Sequence, residues 1–506
     1  MQTKLPMVAK IVAGICVCIA LSGAGCTADS AVGTTGTAPA LDKDPPPAAP
    51  ASPSKRQPTA PNFVYGITSE PGRRVYGSRV LGDIDGDGFD DFVVLGEQGV
   101  QGGTLDSSLE TAVHLFYGKP AFPSQLSTAA ANAKFTACSI EPIGDVNGDG
   151  LDDFSFVDLR GTRLVFGRKE RLTNLADLDR ASGAVWDGPT DPSESHELWA
   201  LRAGDLNGDG FDDLLLAVNQ SVYDEKTDEF SISDHMYLMW GRAKGWPSGK
   251  FDPAWVAATL DSGSPTGFEF YALSPIGPVD LDSDGFADLL AMRRTDLHFV
   301  AFYGAPDRFS NLTSPLVPDV EWDVPSRTIM PIGDFDGDGF VDLASFRFSA
   351  VTGGDILVHY GGPTRWLGKV KLTADLQLTS TSWLSQLATT GDVNGDALPD
   401  LLVASPNYGD PVTGAIFVLR GSGRRQLGAR TLGANDTLMV GPGVTHRPGD
   451  SLDGLGAMLG GELDATGDID GDGSSDVLAG APGLSELDAP MGEGGVFLIP
   501  SAPMPQ

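Results

Sequence analysis

An all-β fold built from repeated four-stranded units is predicted for this 506-residue chain by three features. An Asp-rich loop of nearly constant form recurs seven times, starting at Asp83, Asp145, Asp205, Asp280, Asp334, Asp392 and Asp468. A short apolar run follows each loop, as in Phe92-Val93-Val94, Leu214-Leu215-Leu216 and Leu401-Leu402-Val403. A later apolar run, usually ending in Gly, closes the pattern, as in His114-Leu115-Phe116-Tyr117-Gly118 and Ile356-Leu357-Val358-His359-Tyr360-Gly361. Short apolar runs bounded by Gly and Asp read as strands. Successive loops start 54 to 76 residues apart, a spacing that marks a repeat architecture. A unit of about 60 residues with four short strands has the size of a propeller blade. Seven units therefore predict a seven-bladed β-propeller with four-stranded antiparallel blades.

The loop itself predicts a cation. In Asp83-Ile84-Asp85-Gly86-Asp87-Gly88-Phe89-Asp90-Asp91, acids occupy positions 1, 3, 5 and 9. The carbonyl at position 7 adds another oxygen, and Gly88 at position 6 permits a sharp turn. Ca²⁺ takes six to eight hard oxygens at about 2.3–2.6 Å. Two carboxylates about 5 Å apart repel by roughly 3 kcal/mol at an effective dielectric near 20, so the bare loop is unfavourable. An EF-hand is excluded, because position 12 is Val94, Phe156, Leu216, Ala291, Ser345, Val403 or Ala479 and never an acid. Each loop is instead a turn between two strands. Mg²⁺ fits less well, since it demands a tighter octahedron and keeps waters.

Seven sites follow, up to seven Ca²⁺, with a structural role. The first is Asp83, Asp85, Asp87, the Phe89 carbonyl and Asp91; the second is Asp145, Asn147, Asp149, the Leu151 carbonyl and Asp153. The third is Asp205, Asn207, Asp209, the Phe211 carbonyl and Asp213; the fourth is Asp280, Asp282, Asp284, the Phe286 carbonyl and Asp288. The fifth is Asp334, Asp336, Asp338, the Phe340 carbonyl and Asp342; the sixth is Asp392, Asn394, Asp396, the Leu398 carbonyl and Asp400. The seventh is Asp468, Asp470, Asp472, the Ser474 carbonyl and Asp476. Ala397 replaces Gly at position 6 of the sixth loop, which is therefore expected to be the weakest site. The apolar residue at position 7 is expected to anchor its loop against the blade. Asp90, Asp152 and Asp212, at position 8, are expected to point into solvent.

With these loops and strands in place, the chain resembles the FG-GAP repeats of the integrin α-subunit head and of many bacterial surface proteins. The last repeat carries the resemblance best, with Leu455-Gly456 in the Phe-Gly slot and Gly480-Ala481-Pro482 as Gly-Ala-Pro; Tyr76-Gly77 fills the first slot in repeat one. The family implies a seven-bladed propeller with Ca²⁺ in hairpin loops of its blades. The resemblance spans roughly residues 62–500.

Ahead of the repeats lie two other segments. Residues 1–25 read as a secretory signal: Lys4 and Lys10 precede the apolar run Ile11 to Leu21, too short to span a membrane as a stable helix. Leu21-Ser22-Gly23-Ala24-Gly25-Cys26 resembles a bacterial lipobox, which implies lipidation of Cys26, with Gly23 departing from the usual Leu. Residues 26–61, rich in Ala, Pro, Thr and Ser, read as a disordered tether. The propeller is expected over 62–503. Its last repeat runs out after a third strand, Gly495 to Ile499, so Phe63 to Ile67 is expected to supply the outer strand of that blade and close the ring.

Composition narrows the function. Asp and Glu outnumber Lys and Arg by 68 to 34, and 25 of the Asp lie at loop positions 1, 3, 5 and 9. The acidity argues against nucleic acid as a partner. With Cys26 assigned to the lipid, Cys138 is the one cysteine left beyond the leader, so no internal disulfide is expected in the mature chain, and the thiol is expected to be buried and inert. The six His show no metal-ligand spacing, and no Gly-x-Ser-x-Gly elbow or phosphate loop is present. The loop groups His196 with Glu194 and Glu197, and His446 with Arg447 and Asp450, read as surface. The face opposite the calcium turns carries the long loops Gly96–Ala112, Pro189–His196, Asn219–Asp234 and Pro442–Gly454. The expectation is a monomeric, non-catalytic cell-surface or outer-membrane lipoprotein that binds an extracellular protein or glycan and meets the membrane only through its lipid. The alternative is a carbohydrate lyase or hydrolase on the same scaffold.

Overall fold

Each Asp-rich loop is the turn between the first and second strands of its own antiparallel sheet in the computed structural model. The structure describes residues 65–500 except 69–74, 97–110, 159, 188–193, 225–228, 262–267, 271–278, 294–297, 311–315, 325–327, 348–353, 381, 390, 407, 409–413, 434–435, 441–462 and 482–494. The leader, Cys26, the tether and the His446 group fall outside the described residues. Seven sheets are present, so the fold is the all-β seven-bladed propeller that the repeats predict. The first blade runs Val75–Gly82, Asp91–Gly96, Thr111–Phe116 and Ala133–Ala137, each strand antiparallel to the next. Among the described residues there is one α-helix, Leu175–Ala181, capped by Asn174, and no helix long and apolar enough to cross a membrane.

The ring closes as the sequence implies. The last blade contributes Leu463–Gly467, Asp476–Gly480 and Gly495–Ile499, and its outer strand is the N-terminal Tyr65–Thr68. Tyr65 lies opposite Leu498 and Thr68 opposite Gly495. Sequence reading does not anticipate a further device. Four blades gain a fifth, parallel strand from the blade that follows: Gln125–Ser127 beside Tyr65–Thr68, Gly249–Lys250 beside Ser182–Asp187, Gly368–Lys371 beside Val320–Asp323, and Gly428–Thr431 beside Leu376–Ser380. Each such strand covers an outer edge that would otherwise expose unpaired backbone groups.

The core is not one mass but seven apolar layers, each shared by two adjacent blades. The layer at the closure joins Phe92, Val94 and Phe116 of the first blade to Ile67, Leu478, Val496 and Leu498 of the last. As many layers as blades is the signature of a closed ring. Strand alternation explains the layers: one face of each blade packs on the preceding blade and the other on the following one.

Two expectations are corrected here. Asn219–Asp234 is not a long loop, because Asp213–Asp224 and Glu229–Met239 pair through to Asp224 opposite Glu229. Glu194–Gly204 pairs alongside, with Glu194 opposite Val222, so Glu194, His196 and Glu197 sit on a strand. Cys138 is half-buried rather than buried, because it lies between Ala133–Ala137 and Ser139–Gly144, where the chain passes from one blade to the next.

Candidate metal centres

Every loop is held in shape by its own first and last acids. Asp83 Oδ1 accepts from the Gly86 and Asp87 N–H groups at 2.7 and 3.2 Å, and its Oδ2 accepts from Gly88 N–H at 2.9 Å. Asp91 Oδ2 accepts from Ile84 N–H at 3.1 Å, and Asp91 Oδ1 from Gly118 N–H at 2.8 Å. The bonds to position 9 recur at Asp153, Asp213, Asp288, Asp342 and Asp400. The position-9 acid thus ties the loop to the glycine that ends the third strand. That glycine is obligatory for a second reason. A Cβ on Gly118 would stand 2.5 Å from the Asp90 carbonyl oxygen, and Gly167, Gly241, Gly304, Gly361 and Gly421 are equally crowded.

The structure brings positions 1, 3 and 9 together. One oxygen each of Asp83, Asp85 and Asp91 lie within 4.8 Å of one another, and so do those of Asp280, Asp282 and Asp288, of Asp334, Asp336 and Asp342, and of Asp468, Asp470 and Asp476. The other three loops carry Asn at position 3. Asn147 Nδ2 donates to both Asp153 oxygens at 3.2 and 3.1 Å, and Asn394 Nδ2 to both Asp400 oxygens at 3.0 Å. Turning either amide over would present its oxygen instead. Position 5 stands at the mouth: Oδ1 of Asp87, Asp149, Asp209, Asp284, Asp338, Asp396 and Asp472 accepts from the position-7 N–H.

These residues fit a hard dication. Asp282 Oδ1 is buried without a hydrogen bond, and Asp336 Oδ2 approaches Arg425 Nε at 2.7 Å without hydrogen-bond alignment. Buried anions left in that state are costly unless a cation meets them. Burial pushes the carboxyls of Asp91, Asp153, Asp213 and Asp288 up to about 8, that of Asp342 to about 7 and that of Asp400 to about 6, against the hydrogen bonds that oppose it. An all-oxygen set without His or Cys is the donor chemistry of Ca²⁺ or Mg²⁺ rather than of zinc or copper.

Three details differ from expectation or were not legible. Asp90, Asp152 and Asp212 do not point into solvent. Each reaches the neighbouring loop and accepts from the N–H of its first Asp: Asp468 at 2.8 Å, Asp83 at 3.1 Å and Asp145 at 3.0 Å. That N–H lies past the end of the first strand's ladder and needs an acceptor. Position 7 packs against its own blade, as where the Phe89 Cβ lies beside Gly118, and also reaches the neighbouring loop. Leu151, Phe211, Phe286, Phe89 and Leu398 cover Gly86, Gly148, Gly208, Gly471 and Gly337, where a Cβ would collide or crowd. Finally, Arg171, Arg365 and Arg425 reach three of the loops from the adjacent blade, pairing with Asp85 and Asp87, Asp282 and Asp284, and Asp336 and Asp338. Their shared place, four residues after a strand-ending glycine, is the one signal that could have found them.

The FG-GAP repeat family matches residues 198–228 and 384–419. Integrin alpha-PS2 of Drosophila melanogaster is 30% identical over 183 residues, a match that covers 35% of this chain and 11% of that protein's length. A chain in the crystal structure of BBS1N in complex with ARL6DN, soaked with lead, aligns over 87% of this chain and 97% of its own, with 10% identity and a TM-score of 0.37. A protein of unknown function from Dyadobacter fermentans aligns over 87% of this chain and 98% of its own, with 9% identity and a TM-score of 0.33. The chain carries FG-GAP repeats in a seven-bladed propeller and is similar to Integrin alpha-PS2 over about a third of its length.

Proposed function

We propose that this protein is a calcium-stabilised propeller displayed outside the cell, where it acts as a non-catalytic platform for binding a protein or glycan. The observation that carries the calcium part is the convergence of three carboxylates, at least one of them buried, in each of four loops, with an oxygen of Asp282 left unbonded. Bound Ca²⁺ would add two positive charges where these carboxylates converge. Position 1 arranges the loop backbone, position 9 joins the loop to the third strand, and position 3 faces the space between them. Extracellular modules bind Ca²⁺ with Kd of about 10⁻⁴–10⁻³ M, so ambient calcium fills such sites.

The binding part rests on blade shape and on the likeness to integrin α. The strands Glu194–Gly204, Asp213–Asp224 and Glu229–Met239 run 11, 12 and 11 residues, whereas the first blade's strands run 5 to 8. The pair Asp224 and Glu229 lies at the end of these strands away from the acidic loop. A strand ribbon of that length offers backbone edges to a partner. Export and a lipid on Cys26 complete the reading and rest on the leader sequence.

The test combines melting with a binding screen. A chelator is expected to lower Tm, and Ca²⁺ to restore it better than Mg²⁺. A glycan and surface-protein array, probed with and without Ca²⁺, is expected to yield a calcium-dependent ligand that a shortened 219–234 hairpin fails to hold. Indifference to chelator removes the calcium reading, and turnover of an arrayed glycan replaces the binding role with an enzymatic one.

A further inference from the structure

Three of the loops contain a positive charge of their own. Arg425 Nη2 donates to Asp338 Oδ2 at 2.6 Å while its Nε lies 2.7 Å from Asp336 Oδ2. Arg365 pairs with Asp282 and approaches Asp284 at 3.3 Å, and Arg171 pairs with Asp85 and Asp87. In each case the guanidinium spans positions 3 and 5 of the preceding blade's loop. In each case it also lies over a tyrosine of that blade: Arg171 over Tyr117 at 4.6 Å, Arg365 over Tyr303 at 4.0 Å and Arg425 over Tyr360 at 5.3 Å from the ring centre. The position-3 carboxylates are almost fully enclosed, whereas the arginines are a little under half exposed.

The arginine accompanies the acid in three of the four loops with Asp at position 3. Loops with Asp at position 3 and Tyr before the strand-ending glycine have it. The Asn147 and Asn207 loops do not: Phe166 and Trp240 replace the tyrosine, and Gly245 and Arg308 occupy the arginine's place. Arg308 pairs with Asp319 instead, at 2.7 Å. The Asp468 loop has Asp470 at position 3 and Phe122 in the arginine's place. Four carboxylates and one guanidinium carry the same formal charge as three carboxylates and an amide, so the arginine brings an all-Asp loop level with an Asn loop.

We infer that Arg171, Arg365 and Arg425 are resident counter-cations of the Asp83, Asp280 and Asp334 loops, which weaken Ca²⁺ binding at those loops and keep them folded when Ca²⁺ is scarce. The inference rests on the calcium reading above. A guanidinium in contact with position 3 stands beside the point where positions 1, 3 and 9 converge, and like charges at that range repel. If the side chain swings outward, Ca²⁺ must still replace its ion pairs and its stacking on the tyrosine. Either way calcium binding works against the arginine. Without calcium, the same contacts offset one of the loop's negative charges and fasten the loop to the next blade.

The experiment is a cycle between arginine and calcium. The triple variant R171Q/R365Q/R425Q is compared with the parent by melting in chelator and in saturating Ca²⁺, and by calorimetric Ca²⁺ titration. The variant is expected to lose much more Tm in chelator than in Ca²⁺, and three sites are expected to tighten roughly tenfold. The single variant R365Q reports the same tightening at one site if the triple does not fold, and R365K is expected to keep the parent's affinity because it keeps the charge. Equal losses of Tm with and without Ca²⁺, or unchanged affinities in a variant whose parent binds Ca²⁺, reduce the arginines to packing groups and overturn the inference. A parent that takes up no Ca²⁺ overturns the calcium reading itself, which separates the two failures.

Discussion

Position 6 of each loop shows how much one residue can decide. Its φ is positive throughout, from 84° to 92° in the six loops with glycine. Ala397 is forced to φ 66° in the sixth loop, and Ser283, at position 4 of the fourth, to 61°. A side chain in that region costs roughly 1–2 kcal/mol. Each departs from six glycine counterparts in the sequence, Ala397 at position 6 and Ser283 at position 4, so both strained positions are legible there. Ala397→Gly is expected to stabilise the protein by about 1 kcal/mol in denaturant unfolding and to tighten Ca²⁺ at the sixth loop. A neutral or destabilising result would mean that the loop relaxes around the methyl group. The position-8 acids belong to the same scale. Asp90, Asp152 and Asp212 look like surplus charge in the sequence, yet each caps a backbone N–H one blade away.

Among elements, the strand Tyr65–Thr68 has the largest consequence for its length. It completes the last blade and places Ile67, fully buried, in the layer between last and first blades. Its other edge is covered in turn by Gln125–Ser127. Ile67→Ala is expected to cost about 2–5 kcal/mol, as for other fully buried aliphatic truncations. Removing residues 62–68 is expected to cost more, since it also opens the ring and bares the edge of Gly495–Ile499. An unchanged Tm after that deletion would refute closure by this strand. The blade arithmetic made the strand legible: the last repeat has sequence for three strands and not four. The four parallel edge strands were not legible, because segments such as Gly249–Lys250 are too short and polar to carry a periodic signal.

Across the whole molecule the loops form a linked series. The position-8 N–H groups of Asp90, Asp152, Asp212, Ala287 and Ser475 donate to the carbonyls of Asp468, Asp83, Asp145, Asp205 and Asp392, at 2.8 to 3.2 Å. Buried carboxylates therefore recur along one rim, and their protonation affects the stability of the ring as a whole. Burial raises the folded pKa of Asp91, Asp153, Asp213 and Asp288 to about 8 from a reference of 3.8. The metal-free fold thus binds more protons than the unfolded chain between those values. Its stability from these groups is complete below the reference pKa and is lost as pH rises through about 8. In chelator, the unfolding midpoint is expected to fall from pH 5 to pH 8; saturating Ca²⁺, which replaces the proton, is expected to flatten that slope. A chelated protein that grows more stable over the same range would contradict the burial of these acids.

The sequence by itself determined the number of blades, the strand order within each and the placing of acids at each turn. These are local properties: hydrophobic periodicity, turn glycines and loop spacing are written within a single repeat. It also implied the closing strand, by counting. Only the tertiary structure decided what one blade does to the next: the acid that caps a neighbour's N–H, the aromatic ring that covers a neighbour's glycine, and the arginine that enters a neighbour's loop. Those contacts join residues tens to hundreds of positions apart, and their partners are chosen by how the blades stack rather than by anything that a repeat states about itself.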